Sequence, residues 1–162
     1  MSLVVQLPDE LATDTLARRA ARGVAQRGVA RDGEPLVLYL HGELGAGKTC
    51  LARGMLRELG ESGPVRSPTY GLLTEYPLPG GVVVHMDLYR LRGPEELTAL
   101  GLADAMAGSR LWLIEWPERA QGRGLPKPDA QLWLEPEGEG RRLRIEAVTE
   151  RGSQWLDSLR RQ

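Results

Sequence analysis

Lys48 and Thr49 stand in a setting whose chemistry is narrow. They close the run Gly42-Glu43-Leu44-Gly45-Ala46-Gly47-Lys48-Thr49, which matches G-x-x-x-x-G-K-[ST], the phosphate-binding P-loop pattern. Glycines let the backbone curl until successive N–H groups point inward at phosphate oxygens, and the helix that follows adds its dipole. In such a loop Lys48 reaches the β- and γ-phosphates of ATP, and the Thr49 hydroxyl ligates Mg²⁺. Glu43, Leu44, Gly45, Ala46, Gly47 and Cys50 complete the stretch expected to wrap the nucleotide. The bland alternative is a glycine-rich surface turn, and the flanks argue against it. Val37, Leu38, Tyr39 and Leu40 precede the loop as a buried strand would, while Leu51, Met55, Leu56 and Leu59 follow at helical spacing, with Gly60 as C-cap.

Holding phosphate is not hydrolysis, which also needs carboxylates for the metal and a group that senses the γ-phosphate. Glu115 ends the apolar run Leu111-Trp112-Leu113-Ile114, the Walker B pattern, and is placed to bind Mg²⁺ directly or through water. Asp87 ends Val82-Val83-Val84-His85-Met86 and is the second candidate. For each, the alternative is a solvated acid at a strand terminus. Thr69 lies between the P-loop helix and the next strand, where P-loop proteins carry a γ-phosphate-sensing threonine.

The elements that must position these residues read as follows. Leu3 to Leu7 is a short strand, and Pro8-Asp9-Glu10 opens a helix whose Leu16, Ala20 and Val24 share one face. Arg18, Arg19, Arg22 and Arg27 occupy its other faces, read as solvated, with a partner- or RNA-facing patch as the minority alternative. Arg31 to Pro35 is turn material. Pro64 and Pro68 exclude a helix after the P-loop helix, and Gly71 to Tyr76 with Val82 to Asp87 form a hairpin about Pro79-Gly80-Gly81. Pro94-Glu95-Glu96 starts a helix through Leu97 and Leu100 to Gly101, with a shorter piece from Leu102 to Met106. Leu111–Glu115 is a central buried strand, and Gly122 to Pro128 is a loop. Two strands with alternating Leu132, Leu134 and Leu143, Ile145 make a second hairpin with one wet face. A last helix over Ser153–Arg161 packs Trp155, Leu156 and Leu159. The pattern predicts an α/β fold: a three-layer P-loop NTPase-like domain whose mixed sheet is parallel around the P-loop and antiparallel at the two hairpins.

Length and composition narrow the function further. The 162 residues are most simply one domain with room for a proper core, and 41% hydrophobic and 27% charged residues are ordinary for a soluble globular chain. A net charge of −1 argues against binding nucleic acid by bulk electrostatics, DNA included. The single Cys50 excludes a disulfide framework and a Cys-rich zinc site. No apolar run reaches membrane-spanning length and no basic-then-apolar leader opens the chain, so the expected home is the cytoplasm.

Four ordered motifs carry a resemblance over about Leu3 to Val148: His41-Gly42-Glu43-Leu44-Gly45-Ala46-Gly47-Lys48-Thr49, Ser67-Pro68-Thr69-Tyr70, His85-Met86-Asp87-Leu88-Tyr89-Arg90 and Ile114-Glu115-Trp116-Pro117-Glu118. Pro94-Glu95-Glu96-Leu97 and Leu100-Gly101 lie between the last two. Together they resemble the TsaE (YjeE) family, small P-loop ATPases needed for the threonylcarbamoyladenosine modification of tRNA. The resemblance implies Lys48 and Thr49 at the nucleotide and Mg²⁺ positions, Thr69 as switch threonine, and Asp87 and Glu115 as acids of metal binding and hydrolysis. Trp116 matches the family tryptophan beside the site, a role compatible with core packing after the strand. Cys50 stands where Thr or Ser is commoner, and Thr49 still carries the metal position. Tyr89 and Arg90 are family positions to which the residues alone assign no role.

The resemblance also implies partners: TsaD and TsaB, which transfer threonylcarbamoyl from its adenylate to tRNA adenosine, with tRNA met only through that complex. ATP turnover in the family is weak alone and is thought to reset the transferase between cycles. Other readings stay open at this point. A small-molecule kinase would use Arg119 and Arg123 as lid residues but leaves Ser67-Pro68-Thr69 and Asp87-Leu88-Tyr89-Arg90 idle. A GTPase lacks its N-K-x-D motif, since the chain has no asparagine. A subunit that binds ATP only to hold an assembly together is the non-enzymatic reading.

Overall fold

A computed structural model of the chain describes residues 1–26 and 33–162; Arg27, Arg31 and Asp32 lie outside the described residues. In chain order the elements are β1 (Ser2–Leu7), α1 (Glu10–Gln26), β2 (Leu36–His41), α2 (Lys48–Glu58), β3 (Leu73–Leu78), β4 (Gly81–Asp87), α3 (Glu95–Thr98), α4 (Leu102–Met106), β5 (Ser109–Glu115), a 3₁₀ turn (Pro117–Ala120), β6 (Ala130–Glu137), β7 (Gly140–Ala147) and α5 (Glu150–Arg160). The strands form one sheet in the order β1-β7-β6-β2-β5-β4-β3. β6, β2, β5 and β4 run parallel and both hairpins are antiparallel, as the sequence pattern predicts; β1 adds to β7 antiparallel, a pairing the pattern does not reveal.

Period-two alternation divides the strands between two cores. Leu36, Leu38 and Leu40 of β2 face α1, α2 and α5, together with Leu113, Leu132, Ile145, Met55 and Trp155. Val37 faces the opposite side, with Val84, Met86, Trp112, Ile114 and Leu97, beneath the short helices and the 3₁₀ turn. A fully buried aliphatic side chain of this kind contributes roughly 1.5–3 kcal/mol, so the helices on both faces hold the central strands in place under the site. α1 and α2 cross closely because Gly54 carries no side chain: a Cβ there would lie 2.6 Å from that of Ala17. Asp9 starts α1 by accepting the Ala12 N–H at 2.8 Å. Gly60 closes α2 as predicted, with its N–H on the Arg57 carbonyl and the Glu61 N–H on that of Leu56.

The structure corrects three readings. β3 begins at Leu73 rather than Gly71, because Leu72 adopts a left-handed φ of 64° and turns the chain before pairing can start. α5 begins at Glu150 rather than Ser153, because the Thr149 hydroxyl accepts the Gly152 N–H at 3.1 Å and caps the helix three residues earlier. The α1 arginines are not simply solvated. Arg18 and Arg22 both reach Glu58 on α2, and Arg19 donates to the Leu159 carbonyl on α5. Being partly exposed, the Glu58 pairs add at most a fraction of a kcal/mol to about 1 kcal/mol each. Among the described residues no helix is long and apolar enough to cross a membrane.

Tyr39 of β2 gives the second core an alkaline signature. Its hydroxyl donates to the Pro126 carbonyl at 2.7 Å, and burial raises its pKa from 10.0 to about 12. Because burial favours the neutral phenol, its stabilising contribution is complete below pH 10.0 and is lost as pH rises through about 12. A tyrosinate absorbance titration should show a late step that Tyr39→Phe removes. A titration in which every tyrosine ionises near pH 10 would contradict this packing.

Candidate functional site

β2, β5 and β4 are adjacent and parallel, so their C-terminal ends open on one edge of the sheet, where open α/β folds place ligand sites. Registers align Leu40 with Glu115 and Glu115 with Asp87. Residues far apart in sequence thus become neighbours: the glycine-rich loop after β2, Glu115 ending β5, and Asp87 ending β4. Neither acid is the solvated strand terminus that was the alternative. Glu115 is 2% and Asp87 5% exposed.

Gly42 begins the loop at φ 149°, and a Cβ there would meet the Leu134 carbonyl at 2.6 Å, so the loop sits directly on β6. Gly47 stands at the N-cap of α2 with φ 108° and supplies no side-chain cap. The first-turn N–H groups of α2 therefore receive nothing from their own cap, in contrast to α5 with Thr149. Open amides at a helix start suit an anion.

Lys48 is 5% exposed and folds back over the loop, donating to the Gly42 carbonyl and, at 3.0 Å, to that of Glu43. Burial lowers its pKa, while the carboxylates of Glu115, Asp87, Glu118 and Glu43 pull the other way. Its Nζ stands 4.2 Å from the centroid of the Trp116 ring. Trp116 itself takes a left-handed φ of 57°, an unusual state for a bulky residue, which swings the chain out of β5 into the 3₁₀ turn. Tyr89 lies 5.0 Å from the same ring, and Arg119 caps both rings at 5.3 and 5.7 Å.

The Thr49 hydroxyl donates to Glu115 Oε1 at 3.0 Å, which leaves its oxygen lone pairs free to face a cation. Asp87 accepts from the Ser67 and Thr69 hydroxyls through Oδ2, the latter at 3.1 Å, and from the Tyr89 N–H through Oδ1 at 2.9 Å. That places the Ser67-Pro68-Thr69 segment against the strand end. Among the described residues no group of three or more His, Cys, Asp and Glu is placed to hold a metal. The donor set nonetheless fits Mg²⁺, a hard cation that usually keeps several waters and takes one or two carboxylates plus phosphate oxygens. Thr49, Glu115 and Asp87 are the residues that would hold it.

The predicted residues Glu43 to Cys50, Thr69, Asp87, Glu115 and Trp116 line this edge, with Cys50 turned aside toward Glu10 of α1. Burial, followed by the Glu10 carboxylate, raises the pKa of the half-buried Cys50 thiol, which favours its neutral form. Three neighbours of the site were not predicted as site residues. His85 is fully buried with Nε2 2.6 Å from Glu115 Oε2; since an ionised carboxylate only accepts, the ring donates from Nε2, leaving Nδ1 without a partner. A histidine inside an otherwise apolar strand was the available signal. Ser67 shares Asp87 with Thr69. Glu118, with Gly42, Trp116 and Trp133, lines a small cavity of about 210 Å³ beside the loop, and its carboxyl pKa is lowered chiefly by the hydrogen bond from His41.

Comparison with known proteins agrees with this geometry. Residues 7–144 match the family described as "Threonylcarbamoyl adenosine biosynthesis protein TsaE". The chain is similar to the tRNA threonylcarbamoyladenosine biosynthesis protein TsaE of Haemophilus influenzae, 38% identical over 98% of both chains. It is 33% identical to the protein of the same name from Bacillus subtilis, over 77% of this chain and 78% of that one. The crystal structure of Bacillus subtilis YdiB superposes with a TM-score of 0.78 at 26% identity, covering 99% of this chain and 95% of that one.

Proposed function

The chain belongs to the TsaE family of threonylcarbamoyladenosine biosynthesis, and from that premise we propose that it is the Mg²⁺-dependent, ATP-hydrolysing member of the machinery. One observation carries the reading. The loop lysine and threonine, Glu115 and Asp87 come together at one sheet edge, with Thr49 Oγ1 3.0 Å from Glu115 Oε1. Thr49, Glu115 and Asp87 would hold Mg²⁺ there, which would supply positive charge to offset that of the phosphates. The loop amides and the Lys48 ammonium stabilise charge on the β- and γ-phosphates as water displaces ADP from the γ-phosphorus, releasing orthophosphate. Glu115, kept in place by His85 and Thr49, and Asp87, kept in place by Ser67 and Thr69, hold the metal side. Thr69, held on Asp87 at this edge, would exchange that bond for one to the γ-phosphate and so report the nucleotide state.

The partners in this reading are TsaD and TsaB, in the cytoplasm, with tRNA engaged only through them. ATP turnover resets the transferase between cycles and contributes no carbon chemistry. The test is threonylcarbamoyl transfer to tRNA by TsaD and TsaB over many cycles, with this chain and Mg·ATP present or withheld. Transfer that stalls without the chain and continues with it is expected. Transfer that proceeds equally well without it would overturn the role.

A further inference from the structure

Arg141, at the start of β7 and 95 residues from the loop, reaches it with two bonds: Nε donates to the Ala46 carbonyl at 2.8 Å and Nη2 to the Gly45 carbonyl at 3.0 Å. Nη1 is fixed on the Gly140 carbonyl at 3.0 Å, so the guanidinium plane is set by its own strand. Its neighbours in register, Leu7 on β1 and Pro136 on β6, set the backbone of the strand in turn.

The consequence follows from peptide geometry. In a trans peptide the carbonyl and the N–H of one unit point in opposite directions. Holding the Ala46 carbonyl on the β7 side therefore turns the Gly47 N–H to the other side, toward the start of α2. The preceding unit is held at both ends: the Gly45 carbonyl accepts from Arg141 and the Ala46 N–H donates to the Glu43 carbonyl at 3.0 Å. Packing holds these units only through the Ala46 methyl, which is buried in the core, whereas a Cβ on Gly45 or Gly47 would meet no atom within 4 Å. Glycine on either side of Ala46 otherwise leaves this backbone more conformational freedom than other residue types would.

We infer that Arg141 is a positioning residue for the phosphate-binding loop, fixing the Gly45–Ala46 and Ala46–Gly47 peptide units from the back of the loop and so preorganising the Gly47 amide for a polyphosphate chain. The inference rests on the nucleotide reading given above. A rigid planar fork suits two adjacent carbonyls, whereas a lysine at the same place would satisfy one.

The test is calorimetric titration with Mg·ATP of the wild-type chain, Arg141→Ala, Arg141→Lys and Arg142→Ala, alongside amide NMR spectra of the free proteins. The exposed Arg142 reaches Glu135 and does not touch the loop. The expected result is about ten-fold weaker binding in Arg141→Ala, an intermediate loss in Arg141→Lys and none in Arg142→Ala. The Ala46 and Gly47 amide signals should shift or broaden while those of β6 and β7 stay in place. Wild-type affinity in a folded Arg141→Ala protein would overturn the inference and leave the nucleotide reading standing. Weakened binding with the β6 and β7 signals also lost would overturn it too, making Arg141 a residue of the fold. Absence of binding by the wild type and by Arg142→Ala would refute the nucleotide reading itself, and the inference with it.

Discussion

Lys48→Ala should abolish measurable Mg·ATP binding at the concentrations that saturate the wild type, a loss of roughly 10²- to 10³-fold or more. The lysine is the cation of the loop: 5% exposed, aimed across the loop by the Gly42 and Glu43 carbonyls and backed by the Trp116 ring. A charge held in a site of low water content acts on phosphate far more strongly than one on a solvated surface. The same substitution should leave the fold intact. It removes a buried charge whose desolvation is unfavourable, and the carbonyls it frees face the open loop. Binding is best read by calorimetry and stability by thermal unfolding. A variant that binds Mg·ATP near normally would remove the basis for reading this loop as a nucleotide cradle.

Glu115→Gln should separate binding from chemistry. Glutamine keeps the shape of the side chain and an acceptor for Thr49 or His85, but it removes the charge that would hold Mg²⁺ beside the phosphates. Turnover should fall about 10²- to 10³-fold while Mg·ATP affinity changes by less than about ten-fold. Loss of fold is the competing explanation, because Glu115 is 2% exposed and is bonded to the fully buried His85. Thermal unfolding of the variant decides between them. Full turnover in a folded Glu115→Gln protein would favour the non-enzymatic alternative, in which ATP serves assembly alone.

Much of this site was legible in the sequence because its chemistry sits at the ends of strongly patterned elements. Lys48 and Thr49 follow a buried strand and open a helix, and Asp87 and Glu115 terminate apolar runs. Such transitions are visible without coordinates. What could not be read is who touches whom across the sheet. Thr69 lies 18 residues from Asp87, and only the turn at Leu72, itself in a conformation that its residue type does not advertise, brings the loop to the strand end. Arg141 looks like any exposed-face arginine of a hairpin until β7 is placed two strands from the loop. The capping role of Thr149, which starts α5 three residues before Ser153, appears only once its hydroxyl is seen to accept the Gly152 N–H. The contacts of Arg18, Arg19 and Arg22 are hidden for the same reason, since Glu58 and the Leu159 carbonyl come from other elements.

The central claim, a partner-coupled ATPase, is tested most directly by orthophosphate release from Mg·ATP by the purified chain, alone and with TsaB and TsaD added, with Glu115→Gln run beside it. Slow release alone, a marked rise with both partners and loss of both rates in the variant are expected. Release that is indifferent to the partners, or that survives Glu115→Gln, would contradict it.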